Sequence, residues 1–173
     1  GHAVTTGRPL TKAEVRNGWF AVDGTPVDCI RVGLLSVIPE ADWVLSGINA
    51  GANVGVDLLM SGTFAAAREA AILGVAAVAI SHYRHPDVPK TWTACPRWLT
   101  GVFDDLIPPI KRPESTVGES SELWNVNLPA VDPDGPIPGV RHAKVDSLPL
   151  SRRASEQGDR VSLSSDFPGR PRH

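Results

Sequence analysis

Hydrophobic positions in this chain fall at two spacings, and together they predict a series of strands and helices. Gly18 to Val22 reads as a short strand closed by Asp23-Gly24. Thr25-Pro26 then supplies an N-cap residue and a proline suited to the first helical position, and Asp28 complements the dipole of the first turn. Val27, Ile30, Leu34 and Val37 recur at helical spacing until Pro39 ends the pattern. Trp43-Val44-Leu45 is too short for a helix and reads as a buried strand running into a loop at Ser46-Gly47. That loop is punctuated by Gly47, Gly51 and Gly55 and holds Asn49 and Asn53. A small-residue turn, Ser61-Gly62-Thr63, precedes the alanine-rich run Phe64 to Leu73, a strong helix former stopped by Gly74 at C′. Val75 to Ile80 is the next strand.

Strand, crossover helix, strand is thus written twice, the pattern of a parallel sheet with helices on both faces, so the fold class is α/β. Trp92 to Ile107 reads as a helix with Pro96 in its first turn, and Leu123 to Asn127 alternates like a strand. Beyond Leu128 the chain turns rich in Pro and Gly, then in Ser and Arg, and Val140 to Val145 offers the one further strand. Residues 1–150 are expected to form the domain. Residues 151–173 carry too few apolar side chains for a core of their own and read as an irregular arm or extension.

Composition narrows the partners. Hydrophobic residues make up 42% and charged residues 21% of the 173 positions, the balance of an ordinary single-core soluble domain. A net charge of -2 supplies no basic stripe for a nucleic-acid polymer or an anionic membrane, so any nucleic-acid-related ligand should be small. No apolar run approaches the roughly 18 residues of a membrane span, and the start, Gly1-His2-Ala3, lacks the basic and apolar regions of a secretion signal. Cys29 and Cys95 stand apart without a Cys-x-x-Cys pair, which argues against a disulfide framework and fits a cytoplasmic setting. No initiator methionine is present, so a natural start is expected upstream.

In an open α/β sheet the ligand sits beyond the carboxyl ends of the strands, where Ser46 to Gly55 falls. Glycines let a backbone approach a phosphate, and a helix start offers free N–H groups and a favourable dipole, as Ser61-Gly62-Thr63 would. Asn49 and Asn53 add neutral oxygen and nitrogen atoms usable as a metal ligand or a phosphate donor. Gly, Asn and Ser are also ordinary turn residues, so on composition a ligand loop and a plain connection both stay open. The familiar nucleotide and hydrolase motifs, Gly-x-x-x-x-Gly-Lys-Ser/Thr, Gly-x-Gly-x-x-Gly and Gly-x-Ser-x-Gly, do not occur at these positions. His82 and His85 have His-x-x-His spacing, but two ligands without a converging acidic cluster make a weak metal site. The tryptophans Trp19, Trp43, Trp92, Trp98 and Trp124 are scattered and read as packing residues, and Cys29 as a buried small hydrophobe.

Four strings occur in order: Gly24-Thr25-Pro26-Val27-Asp28-Cys29; Ser46 through Gly55, SGINAGANVG; Ser61 through Glu69, SGTFAAARE; and Asn125-Val126-Asn127-Leu128-Pro129. They resemble the GTPxDC, SGINxGxNxG, SGTxxAAxE and NxNxP signatures of the SurE family. The resemblance implies a Rossmann-like three-layer α/β/α fold with a mostly parallel sheet, and a divalent-metal-dependent phosphomonoesterase acting on nucleoside monophosphates with Mg²⁺ or Mn²⁺. It implies that Asn49 is a metal ligand, that Asn53, Ser61, Gly62 and Thr63 hold the substrate phosphate, and that the protein is a homodimer or higher homo-oligomer. Thr25, Pro26 and Asp28 would be a structural helix start near the site. In the family the metal is held mainly by two adjacent aspartates after the first strand and by a serine, and none of these has a counterpart here. The adjacent pair Asp104-Asp105 falls in the helix expected at Trp92 to Ile107 and reads as a solvated face. About one βαβ unit before Gly1 and a closing strand after Arg172 are therefore expected to be missing. On that reading the chain alone is a poor phosphatase. The alternative is a non-catalytic truncated homologue acting as an anion- or nucleotide-binding module, or an inactive fragment.

Overall fold

The structure is a computed structural model, and it describes residues 3–106, 121–148 and 152–165. Its central strand, β4 (Ala76–His82), is buried along its whole length. It pairs in parallel with β3 (Trp43–Ala50) on one side and β5 (Leu123–Leu128) on the other. A strand covered on both faces should be continuously apolar, and Ala76 to Ile80 is. Alternate residues then serve different layers. Val78 and Ile80 pack with Cys95, Trp98 and Leu99 of α3 (Cys95–Leu106) and with Leu128. Ala77 and Ala79 meet Ala67 and Ala70 of α2 (Gly62–Ile72) together with Leu34. Both sides of this second contact carry only methyl groups, so helix and strand approach closely.

Helix α1 (Pro26–Val32) opens with the expected cap. Thr25 Oγ1 accepts from the Asp28 N–H at 3.2 Å, and Asp28 Oδ2 accepts from the Thr25 N–H at 2.8 Å, a reciprocal capping box. The buried Asp28 carboxylate also accepts from the Thr5 hydroxyl at 2.6 Å and the Thr5 N–H at 2.9 Å. These bonds, those from Thr5 foremost, hold its pKa far below the usual carboxylate range. The helical pattern runs on to Val37 through a π-helical turn, Gly33–Val37. Glu69 of α2, itself mostly buried, pairs with Arg31 of α1 at 2.6 Å and ties the two helices together.

The three layers expected from the sequence are present, and several elements differ from expectation. The strand beginning at Trp19 is β2 (Trp19–Val22), and it pairs antiparallel with β1 (Lys12–Arg16) in a separate hairpin. Of the two crossovers read before β4, β3–α2–β4 therefore lies within one sheet and β2–α1–β3 does not. The hairpin's signal is Asn17-Gly18 between the strands, with Gly18 at φ +72°. The second difference is that β3 does not stop at Leu45. It continues through Ser46 to Ala50, with an irregularity in its register against β4 between Ser46 and Asn49. Gly47 sits in that irregularity at φ +137°, and a Cβ there would lie 2.3 Å from the Ile80 carbonyl oxygen.

Val140 to Val145 does not form the further strand. Val140 and Val145 fall on opposite faces of any strand, so neither face is apolar, and both remain exposed. In place of an irregular extension, residues 152–165 form an antiparallel hairpin, β6 (Arg152–Gln157) with β7 (Arg160–Ser165). Its described side chains are exposed, consistent with too few apolar residues for a core, and Arg152 pairs with Asp57 at 2.7 Å. The helix expected over Trp92 to Ile107 is α3, with Pro96 in its first turn; Ile107 lies outside the described residues. Among the described residues no helix is long and apolar enough to cross a membrane.

Candidate functional site

From the end of β3 the chain crosses the carboxyl ends of β4 and β5 before returning to α2. The Gly51 N–H donates to the His82 carbonyl at 2.9 Å, anchoring the segment to β4. Next, the Asn53 N–H donates to Asn127 Oδ1 at 2.9 Å, and the Asn53 carbonyl accepts from Asn127 Nδ2 and Asn125 Nδ2, each at 3.0 Å. Asn53 Nδ2 donates to Ser81 Oγ at 2.7 Å. A 3₁₀ turn, Gly55–Met60, then delivers the chain to Ser61. The segment follows β3 at the strand ends where open α/β sheets bind ligands.

Ser61 is the N-cap of α2, its hydroxyl accepting from the Phe64 N–H at 3.1 Å. In the first turn that follows, the N–H groups of Gly62 and Thr63 have no acceptor within the helix. Free donors at the positive end of a helix dipole suit an anion. Ser61 is buried and Gly62 and Thr63 are half-buried, so the turn is partly accessible. Asn49 donates through Nδ2 to the Gly51 carbonyl at 3.0 Å. That bond orients the amide and leaves Oδ1, the atom a cation would use, without a protein partner among the described residues.

Asn49 and Asn53 thus share one crossing segment, and Ser61, Gly62 and Thr63 close it. No hydrogen bond among the described residues joins the first pair to the second group. Sequence reasoning did not single out Ser81, nor the amide roles of Asn125 and Asn127. The period-two spacing of Asn125 and Asn127, which puts both on one face of β5, is the signal that marks them.

The other candidates separate. His82 is buried against Trp92 and Trp98, with Cys95 Sγ 3.7 Å from its Nδ1, whereas His85 is exposed beside Asp87. Burial lowers the His82 pKa, the Arg84 charge lowers it further, and the Pro129 carbonyl opposes them. Burial likewise raises the Cys95 thiol pKa. Cys29, expected to be buried, is exposed: its place in α1 faces away from Val27. Of the tryptophans, Trp98 is a core residue, whereas Trp19 and Trp92 lie exposed beneath the guanidinium groups of Arg16 and Arg84. Asp104 and Asp105 lie exposed on α3, and Asp105 pairs with His142 at 2.6 Å.

Whether these residues fit a divalent cation is a matter of donors. Hard cations need several oxygen ligands, normally including a carboxylate. Among the described residues no group of three His, Cys, Asp or Glu side chains converges, and Asn49 offers one neutral oxygen. The described residues do not by themselves make the cation site that the resemblance implies.

A cleft of about 570 Å³ lies between the 3₁₀ turn, β5 and residues 141–146. Val54, Leu58 and Phe64 wall it, with Arg141 and Lys144 at the rim. Neither Asn49 nor Ser61 to Thr63 lines it.

Fold and site together define a class: a parallel α/β domain presenting a capped helix start and an asparagine-held loop at its strand ends. The family model described as "Survival protein SurE" matches residues 1–151. A Synechocystis protein provisionally named 5'-nucleotidase alr3139 is 38% identical over 176 residues, covering 99% of this chain and 73% of that protein. The 5'-nucleotidase SurE of Neisseria gonorrhoeae is 40% identical over 158 residues, covering 90% of this chain and 57% of that protein. The crystal structure of the SurE protein from Aquifex aeolicus superposes with a TM-score of 0.74 at 25% identity, over 96% of this chain and 66% of that one. The chain belongs to the SurE family.

Proposed function

We propose that this chain carries the phosphate-binding side of a phosphomonoesterase site for nucleoside monophosphates. The observation that carries the proposal is the capped start of α2 at the end of the crossing segment, where the Gly62 and Thr63 N–H groups have no acceptor within the helix. In this reading Gly62 and Thr63 donate to phosphate oxygens, Ser61 holds the helix start in place, and Asn53 adds the second N–H of its amide. These neutral donors fix the phosphate without competing for its charge. A divalent cation, Mg²⁺ or Mn²⁺, would supply neutralisation of the phosphate charge. Among the described residues Asn49 is the ligand assigned to it, and carboxylates would have to come from outside the described residues. The 5'-nucleotidase names of the relatives support the substrate class.

A second reading, a phosphate- or nucleotide-binding module without catalysis, is favoured by one observation: no acidic cluster converges on Asn49 among the described residues. We further propose a homodimer or higher homo-oligomer. The projecting β6–β7 hairpin supports it, with Val161 57% and Leu163 83% exposed; light scattering at defined concentration tests it.

The test of function is phosphate release from a panel of nucleoside monophosphates with Mg²⁺ or Mn²⁺, alongside calorimetric binding of the same nucleotides. It is run on this chain and on a version extended upstream in its reading frame. Metal-dependent release by either supports the enzyme. Binding without release by both supports the module, and neither binding nor release defeats both readings.

A further inference from the structure

Two asparagines of β5 and a serine of β4 converge on Asn53 of the crossing segment. Asn127 meets the peptide groups of Asn53 with an acceptor at 2.9 Å and a donor at 3.0 Å, the pair that a neighbouring strand's backbone would have offered. Asn125 adds a second donor to the same carbonyl, and Ser81 takes the Asn53 side chain. Asn53 is 8% exposed and Ser81 fully buried, so each lost bond would leave a desolvated group behind. Asn125 and Asn127 also occupy the face of β5 on which apolar side chains would be expected against the helical layer. Asn125 Oδ1 is buried without a partner, a cost the fold carries while Asn125 Nδ2 serves Asn53.

We infer that Asn127, assisted by Asn125 and Ser81, is a positioning residue. Its amide clasps the Asn53 peptide to the carboxyl end of β5 and thereby sets where the segment from Asn49 to Ser61 lies relative to the start of α2. The inference rests on the phosphate site proposed above. The Gly51–His82 bond fixes the beginning of the segment and the Ser61 cap fixes its end. The clasp fixes the middle, holding the Asn53 backbone to β5 as the Ser81 bond holds its side chain to β4.

The test uses the 173-residue chain, ¹⁵N-labelled, with inorganic phosphate as probe. Asn127→Ala removes both halves of the clasp. Asn127→Asp keeps the acceptor and sets a second oxygen against the Asn53 carbonyl. Asn125→Ala removes one donor and the orphan acceptor together, so little change is expected from it.

In Asn127→Ala the Asn53 amide should exchange roughly tenfold faster or more, the loss of about one hydrogen bond at about 1.4 kcal/mol per tenfold. The amides of Val78 and Ile80 should stay protected as in the parent. In both Asn127 variants the Gly62 and Thr63 amide resonances should move, and phosphate should bind roughly tenfold more weakly. Unmoved Gly62 and Thr63 resonances with parental phosphate affinity would overturn the inference. So would loss of Val78 and Ile80 protection in step with Asn53, because Asn127 would then support the whole fold. If phosphate moves no Gly62 or Thr63 resonance even in the parent, the phosphate site fails. Positioning is then decided by whether those two resonances differ between parent and variants.

Discussion

Replacing Gly47 with alanine puts a methyl group where β3 meets β4 most closely. The backbone there has φ +137°, and the added Cβ would lie 2.3 Å from the Ile80 carbonyl oxygen. A non-glycine residue held in such a conformation costs about 1–3 kcal/mol. Relieving the contact requires β3 to shift against the buried β4, which adds about 1–3 kcal/mol, as overpacking does elsewhere. The expected destabilisation is therefore about 2–6 kcal/mol, a large part of a typical folding stability of about 5–15 kcal/mol. Gly101→Ala is the internal control. Gly101 lies exposed in α3 with nothing within 4 Å of an added Cβ, so alanine there should stabilise by about 0.5–1 kcal/mol. Urea unfolding followed by tryptophan fluorescence and far-UV circular dichroism reads both, as shifts in midpoint at constant slope. Because the register irregularity lies between Ser46 and Asn49, Gly47→Ala should also displace Asn49. Parental stability in Gly47→Ala, with Gly101→Ala behaving as expected, would refute the reasoning.

Other variants probe the caps, the titrating groups and the thiols. Ser61→Ala should cost about 1 kcal/mol through loss of the α2 cap, whereas Ser61→Asp should keep the cap and abolish phosphate binding by charge repulsion; thermal unfolding and calorimetry separate the two. Asp28 has a depressed pKa in the folded state, so its contribution is fully present above the unfolded value of about 3.9 and is lost as pH falls towards the folded one; Asp28→Asn should flatten the acid limb of a stability–pH curve below about pH 4. His82 also has a lowered folded pKa, and here the unfolded chain takes up the proton first, so stability should fall as pH drops below about 6.5, a slope that His82→Gln should remove. An aromatic disulfide reagent should titrate Cys29 rapidly and Cys95 only on unfolding, and rapid release of two equivalents would contradict the burial of Cys95.

Much of this fold is legible in the residues, and the exceptions have physical causes. The α1 start could be read because Thr25, Pro26 and Asp28 each satisfy a local rule at a helix terminus, and α2 because an alanine run between Ser61 and Gly74 leaves few alternatives. Trp43 to Leu45 marked β3, but its continuation to Ala50 depends on pairing with Ser81 and His82, a long-range fact that glycines and asparagines conceal. Val140 to Val145 misled because two valines at an odd separation have strand propensity without a shared face. The candidate site residues Asn49, Asn53 and Ser61 to Thr63 rest on motif resemblance, which local propensity alone would not supply. The clasp was not, because Asn125 and Asn127 acquire their partner only when β5 takes its place beside β4.

The central claim is that the start of α2 receives a nucleotide's phosphate, and an amide-resolved titration with a nucleoside 5'-monophosphate, set against the same nucleoside without its phosphate, tests it most directly. The expected result is saturable movement of the Gly62, Thr63 and Asn53 resonances with the monophosphate and none with the nucleoside. Equal movement with both ligands, or movement confined to other residues, would contradict it.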